Sequence, residues 1–283
     1  MSRTSPASIR TRLKQRADAQ KQDFNLILTH YGLERLLYRL SISGHANSFL
    51  LKGALLFSLW YDTPHRPTRD ADQLGFGASD IQTIENKFRE ICAIAVEDAI
   101  VFDLASISGS PIRKDAGYGG VRIDARAELD RARIALQVDI GFGDIVTPAV
   151  QEVTYPVLLD DLPKPRLRAY PKETVVAEKF HALCLLGMAN SRMKDYFDLA
   201  LLLRDEELDP QELRKAIEAT FARRQMPLPD QLPTGLSDDF ANDAAKQMQW
   251  AAFLRKNKLS SSDLSEVVAL LRMRFQQVGL IKL

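Results

Sequence analysis

Two aspartates one residue apart, Asp70 and Asp72, close a segment whose order of parts narrows the fold more than any other stretch. From Phe49 the chain reads FLLKGALLFSLWY, then a short polar turn, then RPTRDADQLGFG to Gly77. The apolar run over 48–51 predicts a buried strand, Gly53 a turn, residues 54–61 an amphipathic helix, and 70–75 a second strand. Side chains alternate faces along a strand, so Asp70 and Asp72 point the same way and can clamp one hard cation. The glycine ahead of the helix lets the backbone approach a phosphate, and a helix N-terminus favours an anion. Together these parts point to a metal-dependent phosphoryl or nucleotidyl transferase.

The rest of the chain supplies a mixed core and two helical flanks. An apolar face over 8–40, with Pro6 just ahead of it, predicts N-terminal helix, and Gly32 marks a break between two helices. Ser79 is placed to cap a helix running to about residue 95. A β-rich tract follows over 99–107, 120–129, 134–141 and 151–159, in which VRIDARAELDRARIALQVDIGFG reads as an antiparallel pair joined by a tight polar turn. From Pro171 onward the pattern is helical, with helices expected over 172–186, 191–204, 210–224, 238–256 and 261–279. The expected class is α+β. Its domains are an N-terminal helical segment at 1–45, an α/β core at 46–168 and a C-terminal helical domain at 169–283.

Several side chains could carry chemistry beyond the aspartate pair. Asp139 lies between apolar neighbours in LQVDIGFGD, so its carboxylate needs a partner, either as a third metal ligand or as a base. Lys179 falls within the apolar face of a helix, where it either snorkels or meets a nucleotide phosphate. In the next helix Met193, Tyr196, Phe197, Ala200 and Leu201 read as the core stripe. Lys194, Asp195 and Asp198 then lie off it, Lys194 and Asp198 as a surface ion pair. Asn190 and Ser191 are placed to cap that helix, and Arg66 and Arg69 stand where they could steer a triphosphate.

Other chemistries are disfavoured. Only Cys92 and Cys184 are present, far apart, and His30, His45, His65 and His181 show no paired ligand spacing, which argues against disulfides and zinc. No apolar run reaches the ~20 residues that span a bilayer, and the N-terminus lacks an apolar leader, so a cytoplasmic protein without membrane contact is expected. The net charge of +1 hides basic clusters at 10–16, 223–224 and 255–258, which are solvated faces or local RNA contacts.

Four stretches in this order, KGALLFSLWY with RPTRDADQLGFG, then VDIGFGD, ETVVAEKFHAL and NSRMKDYFDL, resemble the AbiEii/AbiGii toxin family of nucleotidyltransferases, the MenT-like toxins included. The resemblance implies a polymerase-β-like nucleotidyltransferase core, a mixed sheet flanked by N-terminal helices and a C-terminal α-helical region. It implies catalytic roles for Asp70, Asp72, Asp139, Lys179 and Asp195. The first three would hold Mg2+, two ions in all. It further implies nucleotide contacts from Lys52, Gly53, Ala54, Arg66, Arg69, Lys179 and Lys194. A nucleoside triphosphate would be the donor, a tRNA 3′ end the acceptor, and an AbiEi-like antitoxin a partner encoded nearby. Two positions depart from the family pattern. Ala54 stands where glycine or serine follows the motif glycine, and Gln73 where a buried strand favours an apolar residue. The alternatives are transfer to a protein or small-molecule hydroxyl, or a catalytically degenerate scaffold that binds a partner.

Overall fold

A computed structural model describes residues 4–61, 66–112, 119–204 and 208–281. The chain forms two compact units, one made of Met1–Gly143 with Gln151–Ala169, the other of Asp144–Val150 with Tyr170–Leu283. The class is α+β, as expected.

The first unit is built on a mixed sheet of seven strands among the described residues. These are β1 (Phe49–Lys52), β2 (Asp70–Gly75), β3 (Val101–Ile112), β4 (Gly120–Leu129), β5 (Ala132–Phe142), β6 (Gln151–Thr154) and β7 (Arg166–Ala169), in the order β3-β4-β5-β2-β1-β7-β6. The strand β2 runs antiparallel to β1 and parallel to β5, placing Asp72 between Lys52 and Asp139. The hairpin read from the sequence is present. β4 and β5 pair from Leu129↔Ala132 outward, and the two-residue turn holds Asp130 and Arg131 at φ 43° and 67°, the positive pair of a type I′ turn.

Alternation decides which face is buried. Val121, Ile123, Ala125, Val138, Ile140, Ala71 and Gln73 point into the core, whereas Arg122, Asp124, Asp139, Asp70 and Asp72 point the other way. The helices α1 (Pro6–Ala19), α2 (Phe24–Ile42) and α4 (Ile81–Cys92) belong to the same unit, with α2 against β5 and α4 against β3. The short α3 (Phe57–Trp60) follows one 3-10 turn after Gly53.

Three expectations are corrected here. The helical break falls at residues 20–23, where Lys21 takes φ 51° and Asp23 caps α2 through the Leu26 amide, and Gly32 lies inside α2. Gly32 is there for contact: a Cβ would sit 2.8 Å from the Leu136 Cδ2 of β5. The helix after β2 is capped by Asp80, whose carboxylate accepts from the Thr83 amide, and not by Ser79. The tract expected as strand over 151–159 is strand only to Thr154, and β7 was not foreseen.

The second unit is helical: α5 (Lys172–Leu186), α6 (Met193–Arg204), α7 (Pro210–Arg223), α8 (Asp238–Asn242), α9 (Ala244–Asn257) and α10 (Leu264–Gln277). Its core stacks Phe180 on Phe275 at 4.0 Å between ring centroids, with Phe221 at 5.7 Å. The helix expected over 238–256 is divided at Asp243, which caps α9 by accepting from the Lys246 amide.

Candidate active site

The sheet unit gathers one set of candidates and the helical unit another. In the first, a single rung of the sheet runs Lys52, Asp72, Asp139, Arg122 and Ser110, each the register partner of the next. The neighbouring rung holds Asp70 opposite Gln137 and Asp124 opposite both Gln137 and Ser108. Strands lie about 4.8 Å apart, so this is a polar strip on the face turned away from the core.

Gly53 fixes the approach to that strip. Its φ is +74°, and a Cβ built on it would fall 2.0 Å from Asp72 Oδ2. Only a residue without a side chain lets the turn after β1 come this close to the carboxylate. Ala54 follows it in the 3-10 turn and brings no side-chain donor.

Asp70 is held from the segment before β2. Thr68 Oγ1 donates to Asp70 Oδ1 at 2.5 Å, and His30 Nε2 of α2 donates to the Thr68 carbonyl at 2.7 Å. Burial pulls the His30 imidazole below its ordinary pKa, and only its bond to Thr68 opposes this. His30 is therefore a neutral strut for the aspartate strand. Sequence reasoning weighed it only as a metal ligand. Arg66 is half-buried and Arg69 exposed in the same approach. His65 lies outside the described residues.

Asp139 is engaged elsewhere than with Asp70 and Asp72. Arg122 Nε donates to its Oδ1 at 2.8 Å and Nη2 to its Oδ2 at 2.7 Å, a two-pronged pair, while Gln137 Nε2 reaches Oδ1 at 3.4 Å. This pair is the main reason that the Arg122 guanidinium is held above its ordinary pKa, with Asp124 and Asp70 adding to it. Among the described residues no group of three His, Cys, Asp or Glu side chains is gathered closely enough to hold a metal ion. Asp70 and Asp72 place two hard oxygen donors on one strand face beside the Gly53 turn. That chemistry fits Mg2+. Sequence reasoning missed Arg122, because its partner is found only through strand register.

The second set is a buried ionic cluster. Lys179 of α5 meets Asp195 at 2.7 Å and Asp198 at 2.9 Å, and Arg192 Nε lies 2.8 Å from Asp195 Oδ2. Lys179 is 15% exposed, Asp195 0% and Asp198 1%. Burial is the largest influence on the ammonium and pulls its pKa down, but the two carboxylates outweigh it and hold the group above its ordinary value. The expected surface pair of Lys194 with Asp198 is thus replaced. Asp195 and Asp198, one helical turn apart, point inward to Lys179, and Lys194 is exposed. The start of α6 is set by Asn190, whose side chain accepts from the Arg192 amide at 2.9 Å while its carbonyl accepts from Lys246 Nζ at 2.9 Å. The available signal for Asp198 was Lys179 itself, a cation on an apolar face that needs counter-charge.

The family model described as nucleotidyl transferase AbiEii toxin, type IV toxin–antitoxin system, matches residues 35–273. The crystal structure of JHP933 from Helicobacter pylori is similar in fold, with a TM-score of 0.50 at 14% identity over 89% of this chain and 91% of that one. A second H. pylori structure, of a candidate nucleotidyltransferase, aligns with a TM-score of 0.46 at 15% identity over 89% of this chain and 93% of that one. No curated protein sequence matches.

Proposed function

The chain belongs to the AbiEii family of nucleotidyltransferase toxins of type IV toxin–antitoxin systems, and we propose that it transfers a nucleoside monophosphate from a nucleoside triphosphate to an RNA hydroxyl, the 3′ end of tRNA. The observation that carries the reading is the close approach of Gly53 to Asp72 beside Asp70. A glycine at positive φ pressed against a carboxylate is a turn that no side chain could share, and it sets the backbone after β1 directly beside the Asp70 and Asp72 pair.

In this reading Asp70 and Asp72 would hold the divalent cation, Mg2+, with two ions expected. When bound, the cation offsets phosphate charge and screens the incoming nucleophile from it. Thr68 keeps one Asp70 oxygen in place. Lys52, the register partner of Asp72, and the Gly53 and Ala54 backbone contact the triphosphate, with Arg66 and Arg69 as further cationic contacts. Lys179 supplies fixed positive charge, and Asp195 keeps that ammonium oriented. Asp139 holds its place in the rung through Arg122. An AbiEi-like antitoxin encoded nearby is the proposed biological partner. No described helix is long and apolar enough to cross a membrane.

Incubation with each labelled nucleoside triphosphate, Mg2+ and total tRNA tests the reading. Label should move to RNA and become ribonuclease-sensitive, and Asp70→Ala or Asp72→Ala should lower the rate at least a hundredfold, roughly the loss of one essential charge-stabilising group. Undiminished transfer by Asp70→Ala would sink the assignment. Label that survives ribonuclease would move the acceptor to a protein.

A further inference from the structure

Arg122 differs from the other charged groups of the rung in how its donors are divided. Its Nε and Nη2 face Asp139, and among the described residues the guanidinium makes no other hydrogen bond or ion pair. A guanidinium carries five N–H donors in a fixed plane, so a two-pronged pair leaves Nη1 and one Nη2 hydrogen aimed away from the carboxylate. The exposures agree with that division: Asp139 is 19% exposed and Arg122 is 40% exposed, so the acid is the anchor and the base the presented group. The anchoring is also geometric. Arg122 and Asp139 are direct register partners on β4 and β5, flanked by Gln137, which leans on the same Asp139 oxygen.

The geometry points to Arg122 as a phosphate-binding residue of the site, with Asp139 the positioning residue that fixes its guanidinium. This rests on the nucleotidyltransferase reading for the source of the phosphate, which is either the triphosphate of the donor or the backbone of the RNA acceptor. Both present the tetrahedral oxygens that a planar fork recognises. Arg122 stands two strands from Asp72, about 10 Å across the sheet. That is within the span of a triphosphate or of one nucleotide step of a backbone.

Local charge adds a condition. In these two rungs Asp70, Asp72, Asp124 and Asp139 stand against Lys52 and Arg122, four negative charges to two positive, so the bare strip repels an anion. Binding through Arg122 therefore requires a divalent cation to offset the aspartates.

Equilibrium binding decides the matter without reference to turnover. Calorimetry with the four nucleoside triphosphates, and filter binding with total tRNA, would be run with and without Mg2+ on wild type, Arg122→Ala, Arg122→Lys, Asp139→Asn and the Arg122→Ala/Asp139→Asn double variant. Arg122→Ala should weaken one of the two ligands about tenfold in Mg2+, the loss expected of a charge-assisted contact. Loss of triphosphate affinity assigns the donor, and loss of tRNA affinity the acceptor. Arg122→Lys should recover only part of the loss, because a point charge lacks the fork. Asp139→Asn should weaken the same ligand, and the double variant should be no worse than Arg122→Ala. Thermal melts check that each variant folds. Unchanged affinity of Arg122→Ala for both ligands overturns the inference, as does a wild type that binds neither, or an Asp139→Asn effect that adds fully to that of Arg122→Ala. Failure of the functional reading looks different: there Arg122→Ala loses phosphate affinity while neither wild type nor Asp70→Ala transfers label.

Discussion

At Gly53 a single missing methyl group lets the turn after β1 lie against Asp72. In the sequence this glycine reads as the place where a backbone meets a phosphate, and in the structure it also meets Asp72. Gly53→Ala forces a left-handed backbone on a residue that resists it, at about 1–2 kcal/mol, and drives a Cβ to 2.0 Å from Asp72 Oδ2. The expected outcome is a lower unfolding midpoint together with loss of transfer, read by urea titration and the labelled assay. A variant of wild-type stability and activity would show that the turn is not tight. Asp195 gives a second contrast. It is fully buried between Lys179 and Arg192, so Asp195→Ala should cost about 3 kcal/mol, the lower end for breaking a buried pair because Asp198 remains. Lys194→Ala, on the exposed side of the same helix, should stay within ~0.5 kcal/mol. The pairing behind this contrast was half legible. Lys179 announced a need for counter-charge, but the ladder of alternate polar residues in KDYFD gave no local sign that both acids turn inward.

Elements were most legible where the signal is local and least where it depends on a distant neighbour. The β4–β5 hairpin follows from alternation on both sides of a polar turn, and the register confirms the antiparallel pair. Its turn keeps Arg131 at φ 67°, a conformation that glycine adopts without strain. Arg131→Gly should therefore raise stability by about 0.5–1 kcal/mol, measured by the same titration, and a destabilised variant would mean that the Arg131 side chain holds the turn. Gly32 shows the opposite case. In sequence a glycine within a helical pattern reads as a break, whereas here it seats α2 against Leu136 of β5. Gly32→Val should overpack that contact and cost about 1–3 kcal/mol. The division at Asp243 and the strand β7 are illegible in the sequence for related reasons. One is a cap that resembles an ordinary helix residue, and the other is four residues long and defined by its pairing with β1 and β6.

On the scale of the molecule, the two units should answer acid in opposite directions. In the sheet unit burial raises the Glu34 carboxyl to about 7 from 4.5, with Arg35 and the Leu158 amide opposing the shift. Its folded form keeps a proton that the unfolded chain has released, so this contribution is full below pH 4.5 and is lost as pH rises to about 7. In the helical unit burial, helped by Arg224, lowers His181 to about 4 from 6.5, against the pull of Asp144. The unfolded chain then binds the extra proton, so that contribution is full above pH 6.5 and is lost as pH falls to about 4. Each is worth about 3 kcal/mol at ~1.4 kcal/mol per tenfold. Trp60 lies in the sheet unit and Trp250 in the helical unit, so Trp250→Phe and Trp60→Phe leave one fluorescent reporter apiece. Between pH 7 and pH 5 the Trp60 transition should move to higher urea and the Trp250 transition to lower urea. Glu34→Gln should flatten the first and His181→Gln the second. Transitions that move together, or that keep their slopes in these variants, would assign the acid response to other groups.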